Sequence, residues 1–185
     1  MLEKMADIEW EEILDAVVLK DEMAFKKIFF HFYDNLLHFS LSITKNVEVS
    51  EDIVSELMSK IWTNADKFQQ VSNLKTYLFQ SVKNSSLNHL SQQKIRTLYK
   101  ESESPVQPPY TPEQLMLSKE FGKQLEEIID KMPPKMKMAF TLIKDNSLSY
   151  KEAAVIMEVS TNTVDRHIQM ALAHIRGLLK KINNS

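Results

Sequence analysis

Four of the chain's six prolines fall between Pro105 and Pro112, in the stretch ESESPVQPPYTP. A packed helix cannot run through such a stretch, because proline lacks the backbone N–H and its ring blocks the preceding turn. Residues 97–111 are therefore read as a linker between an N-terminal part, 1–96, and a C-terminal part, 112–185. Each part is the size of a small helical bundle. Elsewhere apolar residues recur three and four apart, glycine occurs only twice, and strand-type alternation is hard to find. The expectation is an all-α chain of two small helical bundles joined by a proline-rich linker.

The N-terminal part reads as four helices. The first carries Trp10, Ile13, Leu14 and Val17 on one face, and the second is aromatic, with Phe25, Ile28, Phe29, Phe32, Tyr33 and Leu36. The third starts at Ser50 as N-cap, with Glu51 and Asp52 suited to the positive end of the helix dipole. Its apolar face runs Ile53, Val54, Leu57, Met58, Ile61, Trp62, and its other face Asp52, Ser55, Glu56, Ser59, Lys60. By chemistry alone that second face is a solvated one with a Glu56–Lys60 pair, worth a few tenths of a kcal/mol. The fourth helix begins near Asn73 and buries Leu74, Tyr77, Leu78 and Val82.

The C-terminal part opens on Thr111-Pro112-Glu113-Gln114, a helix-start pattern, and Pro133-Pro134 ends that helix. A short helix with Met136, Phe140 and Ile143 follows. Ser149-Tyr150-Lys151-Glu152 is a capping box for a short helix faced with Ala153, Ala154 and Met157. Glu158-Val159-Ser160 then turns into a helix placing Val164, Ile168, Ala171, Ile175, Leu178 and Ile182 inward. A short helix, a tight turn and a longer helix with small residues at the crossing make a helix-turn-helix, whose second helix enters the DNA major groove. The residues at the start of that helix are Ser160, Thr161, Asn162, Thr163, Arg166, His167, Gln169 and Met170. Amides pair with adenine and arginine with guanine, while hydroxyls at a helix N-terminus suit a phosphate. The same residues are also compatible with an ordinary solvated hairpin.

The formal net charge of −2 hides an asymmetry. Residues 1–66 hold fourteen acids and six bases, whereas 67–100 hold Lys67, Lys75, Lys83, Lys94, Arg96 and Lys100 and no acid. In that acid-free stretch the bases alternate with Phe68, Tyr77, Phe79 and Tyr99 and with Asn73, Asn84 and Asn88. Such a mixture suits an unpaired nucleic-acid strand: lysines track phosphates, aromatics stack bases and amides bond exposed base edges. Tyr77 equally has the spacing of a core residue, and Phe79, one step around the helix, is the less easily buried.

Cysteine is absent, so no disulfide or thiolate metal site is possible. The acidic N-terminus is no secretory signal, and no apolar run nears the roughly 20 residues of a membrane span. The five histidines lack companion ligands, and there is no glycine-rich phosphate loop or nucleophile motif. A cytoplasmic non-enzyme without metal, cofactor or membrane insertion is expected.

In order and spacing these pieces resemble bacterial RNA polymerase sigma factors of the sigma-70 family, extracytoplasmic-function (ECF) type, over roughly residues 20–180. Ser50 to Trp62 (SEDIVSELMSKIW) looks like the family's core-polymerase-binding helix. Leu74-Lys75-Thr76-Tyr77-Leu78, Lys83-Asn84 and Leu87-Asn88 look like its promoter −10 segment. Met132-Pro133-Pro134-Lys135, Leu148 to Ala154, Ser160 to Val164 and His167-Ile168 look like its −35-binding domain. The resemblance implies docking on core RNA polymerase through Asp52, Ser55, Glu56, Ser59 and Lys60, and −10 strand capture by Phe68, Asn73, Lys75, Phe79, Lys83, Asn84 and Asn88. It implies −35 recognition by the helix-turn-helix residues and, as a further partner, an anti-sigma factor. This chain departs from the family pattern at Ser55, often glutamine, at Glu158, often glycine, and at Lys83, usually arginine. The rival reading from residues alone is a stand-alone helix-turn-helix regulator with an N-terminal sensor or dimerisation bundle.

Overall fold

The structure is a computed structural model that describes residues 10–99 and 128–182. Among these residues there are helices and turns and no strand. The N-terminal bundle contains α1 (Trp10–Val18), α2 (Glu22–Thr44), α3 (Val47–Thr63), the single turn α4 (Ala65–Phe68) and α5 (Leu74–Tyr99). The C-terminal part contains α6 (Pro134–Phe140), a π-helical turn (Thr141–Asp145), α7 (Tyr150–Met157) and α8 (Thr161–Ile182). The helix start at Thr111 and most of the proposed linker lie outside the described residues.

Local chemistry sets the helix ends. Asp21 caps α2, its Oδ1 accepting from the Met23 and Ala24 amides at 2.7 and 3.2 Å. Lys45 stops α2 in the left-handed region, φ 58°. Asn46 follows at once and caps α3, accepting from the Val49 amide at 3.1 Å. Helix α3 therefore begins one turn earlier than the Ser-Glu-Asp signal suggested. Ser50 is not its cap but a buried residue inside it, bonded to the Asn46 carbonyl at 2.8 Å and to the Thr44 hydroxyl at 2.7 Å. Asn73 caps α5 through the Thr76 amide at 2.8 Å. Helix α5 continues to Tyr99, so the expected boundary at residue 97 falls within a helix.

Leu14, Val17, Ile28, Phe32, Leu36, Phe39, Val54, Ile61, Leu78 and Val82 form the centre of the N-terminal bundle. The same cluster of buried residues runs on without a break into Ala139, Leu142, Leu148, Ala153, Ala154, Ile156, Val164 and Ile168. The two parts are thus packed together, with α7 lying against α5. The second half of α5 leaves the bundle: Leu87 is 41% and Ile95 56% exposed.

Candidate nucleic-acid interface

The helix-turn-helix forms as the capping pattern predicts. The Ser149 hydroxyl accepts from the Glu152 amide at 3.2 Å, and the Glu152 carboxylate accepts from the Ser149 amide at 2.8 Å. Ala153 and Ala154 are buried at the crossing with Val164 and Ile168, where small side chains let the helices approach. Glu158 makes the turn at φ 57°, a conformation that costs a residue with a Cβ more than it costs glycine. Ser160 then caps α8, its hydroxyl meeting the Thr163 amide at 3.2 Å and the Thr163 hydroxyl at 2.8 Å.

Capping therefore occupies the Ser160 and Thr163 hydroxyls, while Thr161, Asn162, Arg166, Gln169 and Met170 stand exposed on the outward face. His167 is half-buried at the edge of that face. Gln169 is held by Asp165 at 2.7 Å. The first amides of α8 add the positive end of a long helix, a setting that favours phosphate.

The acid-free region presents a different surface from the one expected. Phe68 is 6% and Phe79 1% exposed, both within the core, and Phe79 packs on Phe39 at 5.3 Å between ring centroids. Neither offers a face for a base in this arrangement. Helix α5 is wedged between α2, α3 and α7, so its buried side is wide enough to take adjacent positions 78 and 79 together. Tyr77 does the reverse: expected in the core, it is 39% exposed and rests edge-on against Phe68 at 5.4 Å. With Asn73, Gln80, Asn84 and Asn88 it forms a stripe of amides and one aromatic ring along the outer side of α5. Its spacing of four and seven from Asn73 and Asn84 was the available signal; three from Leu74 pointed equally to the core.

The polar groups of α5 nearest the C-terminal part are engaged by it. Asn73 Nδ2 donates to Glu152 Oε1 at 3.2 Å, and Lys75 Nζ to the Ser147 carbonyl at 3.4 Å. Burial lowers the Lys75 ammonium pKa, against the opposing pull of the Glu152 charge. Lys83 is 5% exposed, and its Nζ lies 2.6 Å from Glu158 Oε1. The hydrogen bond and charge of Lys83 hold the Glu158 carboxyl below its ordinary value. No sequence period links these partners.

Asp52, Ser55, Glu56, Ser59 and Lys60 are all exposed along α3. Glu56 and Lys60 pair at 2.7 Å, and Ser55 lies 3.5 Å from the Tyr33 hydroxyl. Among the described residues no group of acidic, histidine or cysteine side chains is arranged to hold a metal, and no helix is long and apolar enough to cross a membrane.

Residues 28–95 match the family model for sigma-70 region 2, and residues 122–175 that for sigma-70 region 4. The chain belongs to the sigma-70 family. Within it the chain is of the ECF type. It is 31% identical over 127 residues to the ECF RNA polymerase sigma-E factor of Escherichia coli K12, a match covering 63% of this chain and 66% of that relative. It is 23% identical over 145 residues to the ECF sigma factor EcfG of Rhodopseudomonas palustris TIE-1, covering 78% and 79%. Among solved structures it resembles the sigma factor RpoE of Bartonella quintana, solved with the anti-sigma factor NepR, at TM-score 0.62 and 25% identity over 84% of this chain and 96% of that one. The fold is also that of CnrH, solved with the cytosolic domain of CnrY: TM-score 0.64, 16% identity, 92% and 97% covered. In this ECF sigma factor the region 2 match holds α3 and the stripe of α5, and the region 4 match holds the helix-turn-helix.

Proposed function

We propose that this chain directs core RNA polymerase to promoters, acting in the cytoplasm as a binding protein and not as an enzyme. The observation that carries the reading is one chain bearing both kinds of DNA surface. An exposed recognition face on α8 suits duplex, and the amide-and-tyrosine stripe on α5 suits single strand. A stand-alone regulator has use for only the first.

The −35 element is held as duplex by Thr161, Asn162, Arg166, Gln169 and Met170 reaching base edges, with His167 at their margin. Ser160 and Thr163 hold the helix start so that its amides meet a phosphate. The −10 strand lies along Asn73, Tyr77, Asn84 and Asn88, with Lys75 and Lys83 on its phosphates. Opening the duplex costs a few kcal/mol, and stacking one base on an aromatic ring returns about 1–3 kcal/mol. A site that accepts only the opened strand therefore biases the equilibrium toward melting. Asp52, Ser55, Glu56, Ser59 and Lys60 supply the polymerase-docking face. The two relatives solved with NepR and with CnrY support an anti-sigma factor as a further partner.

The test is transcription in vitro with the purified chain, bacterial core polymerase and the DNA upstream of its own gene. A discrete start requiring both proteins is expected, and mapping it yields the −35 and −10 sequences. Failure to bind core polymerase together with no start would return the chain to the stand-alone reading.

A further inference from the structure

We infer that Asp165 sets a base preference of α8 by holding the Gln169 amide with its oxygen toward the major groove, so that the position read there selects a base presenting an amino group, cytosine or adenine. The inference rests on the reading of α8 as the −35 recognition helix and names what one of its side chains reads. Asp165 is the only acid in Thr161–Ile182. Two ordinary reasons for an acid on a helix do not apply to it. The helix dipole favours a carboxylate in the first turn, and Asp165 lies beyond that turn. On a helix that approaches a polyanion, moreover, a carboxylate weakens binding to every sequence alike.

What Asp165 does engage is Gln169, one turn further along, whose Nε2 donates to Asp165 Oδ2 at 2.7 Å. Gln169 is exposed on the outward face, and Asp165 is half-buried beside it. A carboxylate can only accept, so it decides which end of the amide turns toward it. Nε2 faces Asp165, and Oε1 faces away from it. A free glutamine offers a donor and an acceptor together and pairs bidentately with adenine. With Nε2 drawn to the carboxylate, Oε1 leads alone. Its partners on the groove edge are the amino groups at cytosine N4 and adenine N6. Guanine and thymine present oxygen acceptors there, and oxygen would meet oxygen. The charge of Asp165 works in the same direction, since it too disfavours an acceptor nearby. Asp165 is thus a positioning residue that acts on DNA through Gln169.

The test is binding of duplexes carrying the mapped −35 element by the full chain assembled with core polymerase. Each base pair of the element is replaced in turn by the other three. Gln169→Ala identifies the position concerned, as the one whose base preference it erases. There the wild type is expected to bind the two amino-bearing bases roughly fivefold more tightly than guanine or thymine, the discrimination of about one hydrogen bond. Asp165→Ala is expected to level the four bases at that position alone, while affinity for all the duplexes rises together through loss of a negative charge. In the Asp165→Ala background, Gln169→Glu supplies a side chain that accepts in any orientation, and it is expected to restore the preference. A preference kept in Asp165→Ala but erased by Gln169→Ala overturns the role of Asp165 and leaves α8 as the reader. A wild-type preference for guanine or thymine at that position overturns the base class. Selective binding at other positions, with none altered by Gln169→Ala, overturns Gln169 as a reader. No discrimination at any position of the element overturns the reading of α8 on which the inference depends.

Discussion

Tyr77 and Phe79 stand two positions apart on α5 and meet opposite surroundings, one 39% exposed beside amides and the other 1% exposed against Phe39. Truncating them should separate binding from folding. Tyr77→Ala is expected to lower open-complex formation roughly tenfold, the value of one stacked base, with the denaturation midpoint close to wild type. Phe79→Ala is expected to cost about 3–5 kcal/mol in denaturant unfolding, the usual penalty for emptying an aromatic core site. If Tyr77→Ala melts early and transcribes normally, the tyrosine is a core residue after all. The recognition face of α8 was legible in the sequence, because a cap followed by exposed polar positions is a local pattern. The fate of Phe68, Tyr77 and Phe79 was not, because it depends on how many neighbours surround each position.

At the scale of the element, short hydrogen-bonding patterns decided most helix ends. The capping box at Ser149 and Glu152 stands as read, whereas Asn46 took the role expected of Ser50, since an Asn directly after a left-handed residue is as strong a start. Glu152 also carries a pH signature. Burial pushes its carboxyl up, but hydrogen bonds from the Ser149 amide and hydroxyl and from Asn73, with the Lys75 charge, outweigh that and leave it below the ordinary value. A carboxyl depressed in the folded state stabilises fully above its unfolded value, and that contribution fades as pH falls through the folded value. Thermal unfolding followed downward from about pH 5 should therefore lose stability, and Glu152→Gln should flatten that slope; an equal slope in the variant would assign the acid response to other carboxyls.

For the whole molecule, the continuous buried cluster shared by α5 and α7 predicts joint unfolding. Trp10 and Trp62, the chain's two tryptophans, both sit in the N-terminal bundle, Trp10 at 4.7 Å from Phe32 and Trp62 at 5.2 Å from Phe25. Their fluorescence reports that bundle alone, whereas far-ultraviolet dichroism reports every helix. Coincident transitions are expected for the wild type, and separated ones would show the two parts to be independent. The all-helical class and the helix-turn-helix could be read from periodicity and caps. The closed packing could not: Lys83 and Glu158 lie 75 positions apart, and nothing local joins them. Both nevertheless stood out in the sequence as departures from the family pattern, and they prove to be each other's partners.

The buried cluster shared by the two parts has a consequence for how far either can be moved on its own. Cutting the chain between them would bare the apolar side chains of α5 and α7 that now cover each other, Leu78 and Val82 on one side, Ala153 and Ala154 on the other. Each half would then carry a fresh apolar patch, the kind of surface that draws proteins into aggregates, so neither half is a ready-made module for grafting onto another protein.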